Sequence, residues 1–207
     1  MSISTATISK LIASVVETIE KNATELTELD QAIGDGDHVS NLQRGLQALT
    51  AQSETLSQLD WSAAFQKMGM TLMSSVGGAS GSLYGTFFIA LSKNVQNLPM
   101  TRIIFGEAFL KAVEAVKQRG KADKGEKTML DVLIPVADCL NKDTNTPDLF
   151  ERIKKTAEES AESTKEMIAT KGRAAFLGER SIGHIDAGAK SSQLIICAII
   201  EALTAPS

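Results

Sequence analysis

The chain has 207 residues, a formal net charge of −4, 43 % hydrophobic residues and 22 % charged residues. That length predicts a single domain over residues 1–207, and the composition excludes a disordered chain. With no basic excess there is no footprint for nucleic acid or an acidic membrane, so a site for an anion must be built locally from metal ions and backbone amides.

The helical period recurs along the chain and the strand period almost nowhere. Leu11, Ile12, Val15, Val16, Ile19, Ala23 and Leu26 recur at 3–4 spacing, which predicts one helix from Ile8 to near Asp30 with Ser4 or Thr5 as its cap. Gly34 and Gly36 end that pattern, and a second helix follows His38 with Leu42, Leu46 and Leu49. A third runs from about Trp61 to Ser75, breaks at Gly77-Gly78, and a fourth opens near Ser80. After Pro99 a fifth covers about Arg102 to Gln118. Residues 120–125 form a charged loop, and a sixth helix covers about Met129 to Leu140, kinked or interrupted at Pro135. The stretch 141–147 reads as a turn, Asp148 to about Thr170 as a long helix, 171–188 as a glycine-punctuated loop, and the chain closes on a helix carrying Leu194, Ile195, Ala198 and Ile199. Eight helices without a convincing strand predict an all-α bundle or helical barrel.

Cys139 and Cys197 stand in no metal or redox spacing, which suits free thiols in a reducing cytoplasm. The start has no basic n-region followed by an apolar run, and the late apolar stretch from Leu194 to Leu203 is too short for a membrane span and contains Glu201. The expectation is a cytoplasmic protein.

Four loops concentrate the chemistry. In the first, Asp35 and Asp37 alternate with glycines, so the backbone can fold sharply and bring both carboxylates to one side, with Asp30 joining from the helix end. Three carboxylates this close repel one another unless a cation compensates, and oxygen-only ligands favour Mg²⁺, Mn²⁺ or Ca²⁺ over zinc. An EF-hand is excluded: with Asp35 as its first position, the glycine position is Ser40 and the bidentate acid position is Leu46. The plain alternative is a turn in which Asp37 caps the next helix. The second loop, Ser74 to Gly81, lets backbone amides and a helix N-terminus approach a phosphate, although no Lys-Ser/Thr follows to make a Walker A motif. Taken alone, such a loop is more often a tight helix-helix corner than a phosphate site. The third, Arg119 to Asp131, holds Thr128 as a natural N-cap. The fourth, Lys171 to Gly188, carries Arg173, which can pair bidentately with phosphate. His184 beside Asp186 suggests either a base or a structural histidine, and His38, next to the acids, is better placed to touch a phosphate.

The segments AIGDGDH with Asn41 and Gly45, GMTLMSSVGGASGSLYGTFF, RGKADKGEKTMLDV and KGRAAFLGERSIGHIDAGA, in this order, resemble the nucleotide-binding L subunits of bacterial dihydroxyacetone kinases from about Leu29 to the C-terminus. The resemblance implies a barrel of eight antiparallel amphipathic helices with nucleotide at one rim. It implies two Mg²⁺ ions on Asp30, Asp35 and Asp37, bridging the phosphates of ADP or ATP. It implies nucleotide contacts from His38, Val39, Ser40, Asn41, Ala79, Ser80, Gly120, Met129, Arg173, Asp186, Ala187 and Gly188, with Met129 against adenine. The chain's extent resembles the separate subunit of the phosphoenolpyruvate-dependent enzyme. In such systems a phosphohistidine on an M subunit phosphorylates bound ADP, and the γ-phosphoryl passes to dihydroxyacetone on a K subunit. A homodimer is implied as well. Two positions depart from the family pattern: Val39 stands where glycine is usual, and Ala187 where proline is frequent. If position 39 needs a positive φ, valine there is strained. A nucleotide sensor without turnover and a helical lipid carrier remain the competing readings, and the second gives no reason for the acidic loop.

Overall fold

The computed structural model describes residues 4–142 and 146–205. Among these it contains ten α-helices and no strand: α1 (Ile8–Lys21), α2 (Ala23–Ile33), α3 (His38–Thr50), α4 (Ser53–Ser57), α5 (Trp61–Ser75), α6 (Gly78–Val95), α7 (Arg102–Gly120), α8 (Leu130–Lys142), α9 (Leu149–Ser163) and α10 (Ala187–Thr204). The all-α expectation holds, with differences in detail.

The single first helix is two. Asn22 turns its side chain back on Thr18, its Nδ2 donating to the Thr18 carbonyl at 2.7 Å, and this local bond ends α1 although the apolar period runs on through Ala23 and Leu26. Ser4 caps a 3-10 turn over Thr5–Thr7 that leads into α1. The short α4 is an addition. The helix expected to reach Thr170 stops at Ser163, followed by a 3-10 turn, Thr164–Glu166. Within the last loop Arg173–Ser181 forms 3-10 turns broken at Gly178, whose φ is +54°. Helix α8 continues through Pro135 rather than ending there. Of the turn expected over 141–147, residues 143–145 lie outside the described residues.

Eight of the helices pack as neighbours in cyclic order: α1 on α3, α3 on α5, α5 on α6, α6 on α7, α7 on α8, α8 on α9, α9 on α10 and α10 back on α1. Helix α2 lies against α3 and α10. The stripe Ile8, Ile12, Val15 and Ile19 faces inward from α1, and each such side chain contributes roughly 2 kcal/mol on burial. The close α5–α6 pair depends on Gly69 and Gly85, since a Cβ on either would lie 2.9 Å from the other's carbonyl oxygen. An aromatic chain fills the space beyond: Phe87 meets Phe109 edge-on at 5.1 Å and Phe88 at 5.7 Å, and Phe65 lies between Phe88 and Trp61.

Helix α10, at 18 residues, has the length and apolarity of a membrane span, yet half of it is buried inside this fold. Its Leu194, Cys197, Ala198 and Ile200 are core residues.

Candidate functional site

The loop between α2 and α3 gathers the acids. Asp30 sits in the last turn of α2, and its Oδ2 accepts the His38 backbone N–H at 3.0 Å. Gly36 takes a left-handed φ of +77°, which turns the chain so that Asp35 and Asp37 face the same side. One carboxylate oxygen from each of Asp30, Asp35 and Asp37 lies within 4.8 Å of the others. Asp37 occupies the N-cap position of α3, but its side chain makes no cap hydrogen bond, so capping does not account for this acid. The Arg173 guanidinium reaches across from the last loop, Nε to Asp35 Oδ2 at 2.9 Å, and offsets part of the repulsion. Three converging carboxylates with partial cationic compensation fit an oxygen-preferring divalent ion.

His38 follows the acids and links three elements. Its Nε2 is 2.9 Å from Ser191 Oγ on α10, and its Nδ1 is 3.4 Å from Ser80 Oγ at the start of α6. Burial lowers the pKa of the ring, against the pull of Asp30, Asp37 and Asp35. Val39 is a core residue in the first turn of α3, packed with Val15, Ile19, Leu26 and Leu194, and its φ is not positive. The strain expected at this departure is absent, because a helical position accepts a β-branched residue. Its side chain faces the core rather than the loop. Ser40 is exposed and bonds back to Asp37 O at 2.9 Å. Asn41 is buried against the second loop, where a Cβ on Gly77 would meet its Oδ1 at 2.6 Å, and Arg44 donates to that same oxygen.

Helix α6 starts at Gly78 with Gly77 as an N-cap that offers no side-chain bond. The amides of Gly78, Ala79 and Ser80 are thus the first three of the helix, which have no intrahelical acceptor and suit an anion. Gly120 ends α7, and a side chain there would meet Leu83 and Ala122. Met129 is buried and abuts Gly188, where an added Cβ would lie 3.6 Å from the Met129 amide nitrogen. Thr128 and Asp131 form a reciprocal cap, with Leu130 N–H on the Thr128 hydroxyl at 3.1 Å and Thr128 N–H on Asp131 Oδ2 at 2.7 Å.

In the fourth loop Asp186 caps α10, accepting from Ala189 N–H at 2.8 Å, and Ala187 and Gly188 form the first turn. His184 is exposed, and its carbonyl rather than its ring has a partner, Lys127. Lys127 was not singled out by its sequence context. It is 1 % exposed, takes a left-handed φ of +61°, and its ammonium donates to the carbonyls of Thr164 and His184, holding the fourth loop to the third. Tyr84 and Ser191 carry no sequence signal either, being polar positions on otherwise apolar helices. Asp131 was legible as the acid of a Thr-x-x-Asp cap.

Burial, with the negative charge of Asp131 adding to it, pushes the Asp186 carboxyl from its ordinary 3.8 up to about 7. The folded protein therefore holds this proton more tightly than the unfolded chain does. The contribution of Asp186 to stability is complete below about pH 4 and is lost as pH rises through about 7. Asp186→Asn keeps a good capping oxygen and removes the ionisation. In urea melts the variant should be more stable than the parent at pH 8 by about 2 kcal/mol, after discounting for the side chain's remaining water contact, with no such advantage at pH 4. An equal effect at both pH values would refute the ionisation argument.

Residues 32–201 match the family model of the DAK2 domain, and the chain belongs to this family. It is 43 % identical over 189 residues to PEP-dependent dihydroxyacetone kinase 1, ADP-binding subunit DhaL, of Listeria innocua, covering 89 % of this chain and 90 % of that one. It is also 43 % identical over 171 residues to the PEP-dependent dihydroxyacetone kinase ADP-binding subunit DhaL of Escherichia coli, covering 80 % and 81 % of the two chains. The fold matches that of the dihydroxyacetone kinase of C. freundii, solved with AMP-PNP and Mg²⁺, at a TM-score of 0.77 and 24 % identity over 97 % of this chain and 34 % of that one.

Proposed function

We propose that this chain is the ADP-binding subunit of a phosphoenolpyruvate-dependent dihydroxyacetone kinase, a phosphotransferase. The observation that carries the reading is the meeting of Asp30, Asp35 and Asp37 beside His38 and the open N-terminus of α6, in a chain similar over most of its length to subunits of that name. In this reading the cyclic helix packing is the eight-helix barrel of a single domain, with the nucleotide at one rim. The three aspartates hold two Mg²⁺ ions, and magnesium, when bound, supplies positive charge against the phosphates.

The chain's own residues position and neutralise. The amides of Ala79 and Ser80 receive phosphate oxygens, and Arg173 exchanges Asp35 for phosphate. His38, the backbone of Val39, Ser40 and Asn41 line the same rim, while Gly120, Met129, Asp186, Ala187 and Gly188 hold the nucleoside end. A phosphoryl group passes from a phosphohistidine on an M partner to ADP and on to dihydroxyacetone held by a K partner. No base is required of this chain, because the acceptor hydroxyl belongs to that partner's substrate, and phosphoryl transfer needs chiefly alignment and charge stabilisation. A cytoplasmic homodimer completes the proposal.

Denaturing the purified protein should release ADP near one equivalent per chain, and prior EDTA treatment should remove it. Mixed with both partners, phosphoenolpyruvate and dihydroxyacetone, the protein should form dihydroxyacetone phosphate. Tight ADP binding without product would replace the kinase reading with a nucleotide-binding regulatory subunit.

A further inference from the structure

The interior behind the acidic loop contains a short polar chain that the proposed phosphoryl relay does not use. Ser191 Oγ, on the fully buried Ser191, lies 3.1 Å from Gly188 O, 2.9 Å from His38 Nε2 and 3.3 Å from Tyr84 OH. A serine hydroxyl has one proton to give and two lone pairs to receive with. Of its three partners only the Gly188 carbonyl is unable to donate. If Ser191 gave its proton to His38 or Tyr84, two oxygens would face each other at 3.1 Å with no hydrogen between them. Ser192 also donates to Gly188 O, at 2.7 Å, and is a second partner of Tyr84; the arrangement that satisfies all three Ser191 contacts at once sends the Ser191 proton to Gly188 O and has both His38 Nε2–H and Tyr84 O–H donate to Ser191.

We infer that Ser191, backed by Tyr84, is a positioning residue that keeps a proton on His38 Nε2 and turns the ring so that only Nδ1, beside Ser80, faces the candidate phosphate site. The inference rests on the proposed nucleotide site for its consequence but not for its geometry. The backbone N–H of the same histidine is bound by Asp30, so the ring and the acid cluster share one rigid residue. Through it the start of α6, the acidic loop and the start of α10 are held in one register, as outer partners hold a metal site's ligands. Ser191 and Tyr84 are not among the residues proposed above to hold metal or nucleotide; they act through His38 and Gly188.

The chain has only two histidines, and His184 is exposed, so the ring nitrogens can be read individually by ¹⁵N-detected NMR on labelled whole protein, with His184→Gln to assign them. In the parent, His38 Nε2 should resonate as a protonated nitrogen coupled to its ring protons. Ser191→Ala, favourable for a helix, should shift the His38 signals toward a tautomer mixture and weaken Mg-ADP binding about tenfold by calorimetry. Ser192→Ala removes the other hydroxyl on Gly188 O, at 2.7 Å, and a second partner of Tyr84 while leaving Ser191 in place, so it should move the His38 signals less than Ser191→Ala does. Tyr84→Phe, should Ser191→Ala fold poorly, must change the His38 signals in the same sense by a smaller amount. A proton on Nδ1 with Nε2 bare in the parent overturns the inference, as do unchanged signals in Ser191→Ala. Correct signals in a protein that binds no ADP would instead remove the functional reading and leave the positioning intact.

Discussion

Asp37→Ala is expected to abolish the retention of magnesium and ADP together. Asp30 already has a backbone N–H to satisfy and Asp35 has the Arg173 guanidinium, whereas Asp37, at an N-cap position, has no cap bond. Its carboxylate is thus the one most open to a cation shared with the other two acids, within 4.8 Å of it. Calorimetry should show Mg-ADP affinity lower by more than about 100-fold, beyond the range usual for outer-shell changes. The fold should persist, since removing one of three like charges relieves repulsion in the metal-free protein. Parent-like ADP binding in Asp37→Ala would sink the metal-clamp assignment.

Gly34→Ala is expected to produce nearly the same loss by steric means. The Gly34 backbone, at φ −122° and ψ −148°, makes no demand for a left-handed residue. What it lacks is room: an added Cβ would sit 2.0 Å from Asp30 Oδ1 and 2.7 Å from Asp30 O. The carboxylate would have to swing off, surrendering the His38 N–H and its place among the ligands. Circular dichroism should show intact helices while Mg-ADP affinity falls by about 10- to 100-fold. Unchanged affinity would mean that Asp30 does not belong to the cluster.

These acids were legible in the sequence because glycine and aspartate alternate over a few residues, where spacing alone dictates proximity. The helices were legible where the 3.6-residue period was undisturbed, as in α3, α5 and α7. The break at Asn22 was not, because it depends on one side chain competing for Thr18 O while the apolar pattern continues across it. The early end of α9 was hidden for a different reason: the Thr164 hydroxyl accepts the Asp186 N–H, a tertiary contact 22 residues away. The condition for strain at Val39, a positive φ, is not met, since a first-turn helical position requires none. Ser191 and Tyr84 were out of reach because their value lies in a partner on another helix. Lys127 has the sequence context of any charged loop residue, and only its burial distinguishes it.

The His38–Ser191 bond spans 153 positions, joining the acidic loop near the start of the chain to the last helix. Much of the order of assembly follows from that separation. Closing so long a loop is costly in entropy, so the rim is expected to be completed late, with the docking of α10 against α1 and α9. A partly folded chain can present three aspartates but not the oriented histidine behind them. Ligand occupying the finished rim then favours the native state alone, adding about 2.7 kcal/mol at a hundredfold excess over its dissociation constant. Resident nucleotide would act as a fastener between the two ends of the polypeptide.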